Sequence, residues 1–290
     1  MIRFATEVDI PGLKTLWTMS FDDPINYIDF FYDKLARPCD TLIFDEDGQI
    51  AAMLTLIPTA LVYRDKSVRA AYVYGAATHK NYRSRGVMTA LLAHAEEYAR
   101  TQGYSLVVLV PGEKYLFDYY KRRGYSADFN CRVAEIKHGM LRRDIVPDTE
   151  TQTDALSIDE LYELREAALA DIAHIAWKPD ALRGILLDAK IYDEHIESYE
   201  GKYGRAFAIY GQHKRRLYIK ECLGTSVEAQ HCLLRMLLEK IDPRMVTVQL
   251  PLHSELFMFE SQTRLFGMAK LLSGNTNIKD MDAYMNLMLD

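Results

Sequence analysis

AATHKNYRSRGVMTALL, residues Ala76 to Leu92, sets the architecture of this chain. An apolar run from Ala70 to Thr78 leads into a basic turn, and Gly86 opens an amphipathic segment. Strand, basic glycine turn and helix in that order build a cradle for an anion. The first amides of a helix lack intrahelical acceptors, and the aligned peptide dipoles make that end partly positive. A diphosphate docked there gains hydrogen bonds and charge complementarity together. Gly86 lets a phosphate approach the backbone without an intervening Cβ, while Arg83 and Arg85, on either side of Ser84, raise the positive potential. The stretch therefore predicts a site for a phosphorylated cofactor. An ordinary strand-turn-helix with solvated arginines is the competing interpretation of the turn alone.

The segment after Gly86 has helical spacing. Val87, Met88, Leu91, Leu92, Ala95, Tyr98 and Ala99 fall on one stripe, with Glu96, Glu97 and Arg100 opposite. Gly103 is a natural stop just beyond. Ser105 to Val110 then has the aliphatic and β-branched content of a buried strand.

Two segments in this order carry a resemblance. Arg83 to Met88 resembles the R/Q-x-x-G-x-G/A diphosphate loop of the GNAT (GCN5-related) N-acetyltransferases. Tyr120 to Tyr125, Tyr-Lys-Arg-Arg-Gly-Tyr, resembles the Y-x-x-x-G-F/Y segment that closes the cofactor cleft in that family. The intervening strand and helix fit the family spacing. Met88 departs from the usual Gly or Ala, but Met occurs there in the enhanced-intracellular-survival (Eis-type) acetyltransferases, beside a strand end like Gly75-Ala76-Ala77-Thr78. The resemblance covers residues 2–133. It implies a GNAT acyl-CoA N-acyltransferase fold, an α/β mixed sheet, and acetyl-CoA as cofactor.

Length and composition set outer bounds. A chain of 290 residues accommodates two lobes of about 140 residues each. Hydrophobic residues make up 49%, enough for packed cores. No apolar stretch approaches the ~20 residues needed to span a bilayer, so no membrane partner is expected. The opening MIRFATEVD does not resemble a signal peptide, and the expected address is cytoplasmic. Cys39, Cys131, Cys222 and Cys232 are scattered, and no Cys/His cluster predicts a metal. The net charge of −6 argues against nucleic acid and mildly favours cationic small molecules. The resemblance to two-lobed members of this group allows homo-oligomerisation, without fixing its symmetry.

Along the chain, Arg3 to Thr6 starts a strand and Asp9 caps a helix through Phe21. Ile25 to Leu35 is a second helix. Thr41 to Phe44 and Ile50 to Ile57 form a hairpin around Asp47-Gly48. Arg69 to Thr78 is the next strand, Tyr115 to Arg122 a short helix and Tyr125 to Ile136 a strand. The expected division is a catalytic domain over 1–140, a polar linker over 141–157 and a second domain over 158–290. In the latter, Ala206 to Tyr210 and Arg216 to Leu223 predict a hairpin, followed by a helix through Leu233, Leu234, Leu237, Leu238 and Ile241. Met245 to Leu250 is a strand, Glu255 to Thr263 a short helix and Gly267 to Leu272 a final strand. The turn before that helix, Gly224 to Glu228, places no arginine for a phosphate, and Thr225 with Glu228 forms a capping box. This half reads as a degenerate GNAT-like domain with no cofactor of its own, the tandem arrangement that the Eis-type resemblance implies.

Acetyl transfer to an amine needs a held thioester, a polarised carbonyl, a deprotonated amine and a stabilised leaving thiolate. Residues Arg83, Ser84, Arg85, Gly86, Val87 and Met88 are the candidates for the diphosphate. The strand Val73 to Thr78, with Gly75, Ala76 and Ala77, can pair with the pantetheine arm. By the resemblance, Tyr120 is the general acid, although Tyr115, Tyr119 and Tyr125 crowd the same stretch and packing competes as its role. No glutamate stands on Tyr72-Val73-Tyr74, where many members carry the base. Three substitutes stay open: Asp290 through the chain end, as the Eis-type resemblance implies, Asp22 or Asp23 in the loop after the first helix, or water. Phe21, Asp22 and Asp23 are the candidate substrate residues, for an amine acceptor whose identity the residues leave unspecified.

Overall fold

The computed structural model describes residues 1–147 and 156–289. Residues 148–155 of the expected linker and Asp290 lie outside these. Within the described residues twelve strands form one mixed sheet: β1 (Ile2–Phe4), β2 (Thr41–Glu46), β3 (Gln49–Tyr63), β4 (Lys66–Thr78), β5 (Leu106–Leu109), β6 (Ser126–Ile136), β7 (His174–Ala176), β8 (Glu194–Gly201), β9 (Gly204–His213), β10 (Arg216–Gly224), β11 (Met245–Leu250) and β12 (Ser261–Leu271). Among the described residues seven α-helices cover its faces: α1 (Ile10–Thr18), α2 (Ile25–Phe30), α3 (Val87–Thr101), α4 (Lys114–Lys121), α5 (Ile158–Ala168), α6 (Pro179–Ile191) and α7 (Val227–Ile241). A wider π-helical turn, Phe31–Leu35, continues α2. The α/β mixed-sheet expectation is met.

Local sequence explains much of this. Asp47 and Gly48 both have positive φ, 53° and 82°, and turn β2 into β3 at the expected place. β3 runs beyond the expected Ile57 and pairs with β4 as far as Tyr63–Lys66. Pro58 sits inside β3 where β3 lacks a second neighbour, between its last pairing with β2 at Thr55 and its first with β7 at Ala60. The α3 stripe is buried as expected at Val87, Leu91, Leu92, Ala95 and Ala99.

The order across the sheet is β1-β2-β3-β4-β5-β12-β6-β11-β10-β9-β8, with β7 on β3. The boundary expected around 141–157 therefore divides the chain but not the sheet. β12, from the far half, lies between β5 and β6, pairing antiparallel to both. That pairing also corrects the expected helix over Glu255–Thr263: the chain is irregular to Glu260, then extends from Ser261 to follow β6. Ladder bonds along an existing strand outweigh a weak local helical preference. Both halves share one plan. Hairpin β3–β4 is followed by α3 and a parallel β5, and hairpin β9–β10 by α7 and a parallel β11.

β4 carries a bulge. Met53 pairs with Ala77 but Thr55 with Tyr74, so Gly75 and Ala76 oppose a single residue of β3. Gly75 has φ of +58°, and a Cβ there would lie 3.0 Å from the Trp17 ring. The extra residue switches the faces: Tyr74 and Ala77 pack with the α1 and α2 side, Val73 and Ala76 with the α3 side.

A buried polar cluster ties α5 to β10 and the chain end. Arg165 Nε donates to Glu221 Oε2 at 3.0 Å and Nη2 to Oε1 at 3.3 Å, with side chains 1% and 0% exposed. Glu166 meets Arg165 and His174 Nε2, at 3.4 and 3.2 Å. The tail runs alongside: Tyr284 exchanges backbone hydrogen bonds with Ala173 and Ile175, and Asn286 Nδ2 donates to the Lys220 carbonyl and the Tyr284 hydroxyl.

Two outcomes are expected. Arg165→Met should cost about 3–5 kcal/mol in urea denaturation by stranding the Glu221 carboxylate, whereas Arg165→Met/Glu221→Leu should recover most of it. Gly75→Ala should lose about 1–2 kcal/mol through its left-handed backbone, with a shifted tryptophan emission as Trp17 gives way.

Candidate active site

β4 and β5 are parallel partners only from Ala70–Leu106 to Tyr72–Val108. β5 ends at Leu109, while β4 continues to Thr78. The strands therefore part beyond Tyr72, and the edge of β4 through Val73, Gly75, Ala76, Ala77 and Thr78 has no ladder partner from β5. Backbone amides so placed can pair with an extended, amide-bearing ligand.

The basic turn stands at the end of that edge. Gly86 is the N-cap of α3 with φ of +78°, and among the described residues no side chain caps the helix. A Cβ on Gly86 would meet nothing within 4 Å, so the space above it is open. Ser84 is also left-handed, at φ +63°. Arg83 Nε donates to the Thr78 carbonyl at 3.1 Å, and the Arg85 guanidinium lies over Tyr82, 5.3 Å from its centroid. Val87 is buried and Met88 half-buried, so their side chains anchor the first turn and leave its amides to a ligand. On its other flank the turn borders a depression lined by Glu46, Asp47, Gln49, Asn81, Tyr82 and Arg85, whose carboxylates suit a phosphate poorly. The amide end of α3 is the better anion seat.

Tyr120 on α4 packs in one cluster with Val87, Leu91, Leu109 and Tyr125. It is 7% exposed, and burial, with a smaller contribution from Tyr119, pushes its phenol up to about 12. It stays protonated at neutral pH, as a proton donor must. Arg123 was not singled out as a site residue from the sequence. Its guanidinium donates to Thr89 Oγ1 at 2.6 Å, in the first turn of α3, and lies 3.4 Å from the Tyr119 ring centroid. A third cation thus joins α4 to the seat. Only its place within the Tyr120–Tyr125 motif hinted at this. Lys270 on β12 braces the same wall through Glu96 at 2.5 Å and the Arg123 carbonyl at 2.8 Å.

The opposite face of β4 is aromatic. Trp17 packs with Phe21, Tyr27, Phe31, Tyr32 and Tyr74. The Tyr27 and Tyr74 hydroxyls are 2.7 Å apart. Phe21 and Asp23 are half-buried here, while Asp22 is exposed. Asp23 accepts from Trp17 Nε1 at 2.7 Å. The tail closes this side: Trp177 Nε1 donates to the Leu287 carbonyl at 3.1 Å and the Tyr72 hydroxyl to the Leu289 carbonyl at 2.7 Å. Asp290, expected as a base, falls outside the described residues.

The second half repeats the parting of strands without the seat. β10 and β11 pair only from Arg216–Met245 to Ile219–Val248. The chain's own groups then fill in: Glu221 takes Arg165, the Lys220 carbonyl takes Asn286, and the Cys222 carbonyl accepts from Gln230 Nε2 at 2.8 Å. A Cβ on Gly224 would lie 2.9 Å from the Arg205 carbonyl oxygen. The α7 cap is Ser226, which accepts from the Ala229 amide at 3.0 Å, and not the expected Thr225, whose hydroxyl instead bonds the Arg205 backbone. The tight packing of Gly224 on β9 holds Thr225 against that strand.

Residues 1–127 match the family model of the acetyltransferase (GNAT) domain. No curated protein matches the chain in sequence. Among solved structures it is similar to a GCN5-related N-acetyltransferase from Anabaena variabilis, with TM-score 0.77 and 15% identity over 94% of this chain and 73% of that one. Another from Kribbella flavida has TM-score 0.71 and 16% identity, over 93% and 70%. Eis1 from Mycobacterium abscessus has TM-score 0.70 and 17% identity, over 94% and 74%. Identities this low speak for the fold, and the family match speaks for the N-terminal part. This chain carries a GNAT-family acetyltransferase domain in its first 127 residues, within a sheet that the rest of the chain completes.

Proposed function

We propose that the chain transfers an acetyl group from acetyl-CoA to a primary amine of a cationic small molecule or a lysine side chain, by direct attack in a ternary complex. The observation that carries this reading is the parting of β4 from β5 beside an α3 N-terminus that has no side-chain cap. A free strand edge and a bare helix end suit the two halves of one ligand, an amide-bearing arm and a diphosphate.

Acetyl-CoA supplies the activated acetyl thioester. The amides of Val87 and Met88, with Gly86 as the open approach and Arg83, Ser84 and Arg85 alongside, hold the diphosphate. Arg123 adds positive potential from the turn after α4. The β4 edge from Val73 to Thr78 orients the arm, and its bulge at Gly75 and Ala76 takes backbone groups out of the regular ladder, where a donor can serve the acetyl carbonyl. Tyr120 would be the proton donor for the leaving thiolate. β4 presents no carboxylate, so the amine loses its proton to water or to a carboxylate outside β4.

In calorimetry, Arg83→Ala/Gly86→Asp should weaken acetyl-CoA binding by about 100-fold or more, because a carboxylate then faces the diphosphate. Failure of the folded wild type to bind acetyl-CoA would refute the reading. Tyr120→Phe should lower kcat by roughly 10²–10³-fold with acetyl-CoA affinity retained. The active form of Tyr120 is the protonated phenol, which is lost only as pH rises through about 12. The wild-type rate profile should therefore show no alkaline fall from this group below about pH 11. Turnover unchanged in Tyr120→Phe would favour instead a weakly catalytic CoA-binding module.

A further inference from the structure

Asp23 stands where the two halves of the chain meet over the aromatic face of β4. One carboxylate oxygen accepts from Trp17 Nε1 at 2.7 Å, the other from the Tyr192 hydroxyl at 2.5 Å. Tyr192 follows α6, so a side chain from the second half completes the surroundings of a loop in the first. Its ring lies 5.4 Å from that of Tyr27, whose hydroxyl bonds Tyr74 on β4. Trp17 in turn lies against the bulge at Gly75. A continuous chain of contacts thus runs from the bulge through Trp17 and Asp23 to Tyr192.

Two donors do not saturate this carboxylate. Each oxygen offers about two acceptor positions, so the group retains capacity for a cation. Asp23 is half-buried and Tyr192 is 41% exposed, so the pair is reachable from solvent. Phe21, Trp17, Tyr27 and Tyr192 form a run of rings at 5.4, 6.0 and 5.4 Å, in which Trp17 and Tyr27 are buried and Phe21 and Tyr192 are the rings a cation could reach. A carboxylate bonded directly to the attacking amine would favour its charged, unreactive form. The cation that suits Asp23 is therefore a second one on the same molecule.

We propose that Asp23, fixed by Tyr192 and Trp17, holds a non-reacting cationic group of the acceptor, and that Tyr192 is the positioning residue that selects acceptors with at least two amines. What the bound amine is for rests on the acetyltransferase reading above; the binding of the dication does not. Tyr192→Phe keeps the ring on Tyr27 and removes the hydroxyl that bonds Asp23, while Asp23→Asn removes the charge.

The test compares 1,4-diaminobutane with butylamine, which differ by the second amine alone, by calorimetry in the presence of saturating CoA and by steady-state kinetics. The wild type should bind the diamine at least about tenfold more tightly than the monoamine, as a charge-assisted hydrogen bond predicts. Both variants should lose most of that preference through a raised amine KM, with acetyl-CoA KM and the thermal midpoint unchanged. A wild type without preference for the diamine, or variants that retain it, overturns the proposal. Absence of acetyl-CoA binding sinks the acetyltransferase reading instead, and the diamine titration, repeated without CoA, still decides the clamp.

Discussion

A four-residue strand with two edges to satisfy sets the constraint on which this structure rests. β5 pairs with β4 over three residues and must find a partner for its other edge, since unpaired backbone groups in a buried strand are costly. The partner, β12, comes from the far end of the chain and then bonds β6 on its opposite side. Neither half can complete its sheet alone. The pairing also brings Lys270 to Glu96 and to the end of α4, so the far half braces the wall of the candidate cofactor site.

The same plan is built twice and put to different use. In both halves two parallel strands part after a few residues, leaving backbone groups without ladder partners. Beside β4 the edge stays open, next to a helix that begins on a left-handed glycine with space above it. Beside β10 the opening is taken up by Arg165, Gln230 and Asn286, and the glycine before α7 is pressed against β9. The second half has internal polar packing where the first half has the candidate seat, and that packing anchors the chain end.

The anchoring reaches the first half. The tail carrying Tyr284 and Asn286 continues to Leu287 and Leu289, whose carbonyls bond Trp177 and Tyr72. Tyr72 also stacks near Tyr74, which bonds Tyr27. Thus the face of β4 away from α3 is lined by groups from α1, α2, the segment after α6 and the tail. A rigid aromatic wall of this kind holds its shape because each phenol and indole has a partner that fixes it.

Local signals in the sequence determined the hairpin at Asp47-Gly48, the α3 stripe and the basic turn at Arg83 to Gly86, whereas Tyr120 was named through the family resemblance. Each local signal depends on residues a few positions apart, through backbone preference or helical spacing, so no distant contact can hide it. The helix expected at Glu255–Thr263 failed because pairing with β6 outweighed a weak local tendency. Asp23 was named without Tyr192, and Arg123 was passed over, because Tyr192 and the Arg123 partner Thr89 lie on other elements. Only the tertiary structure decided the insertion of β12, the Arg165–Glu221 pair and the meeting of Asp23 with Tyr192. These join residues far apart in the chain, and sequence spacing carries no information about which distant edges and charges will meet.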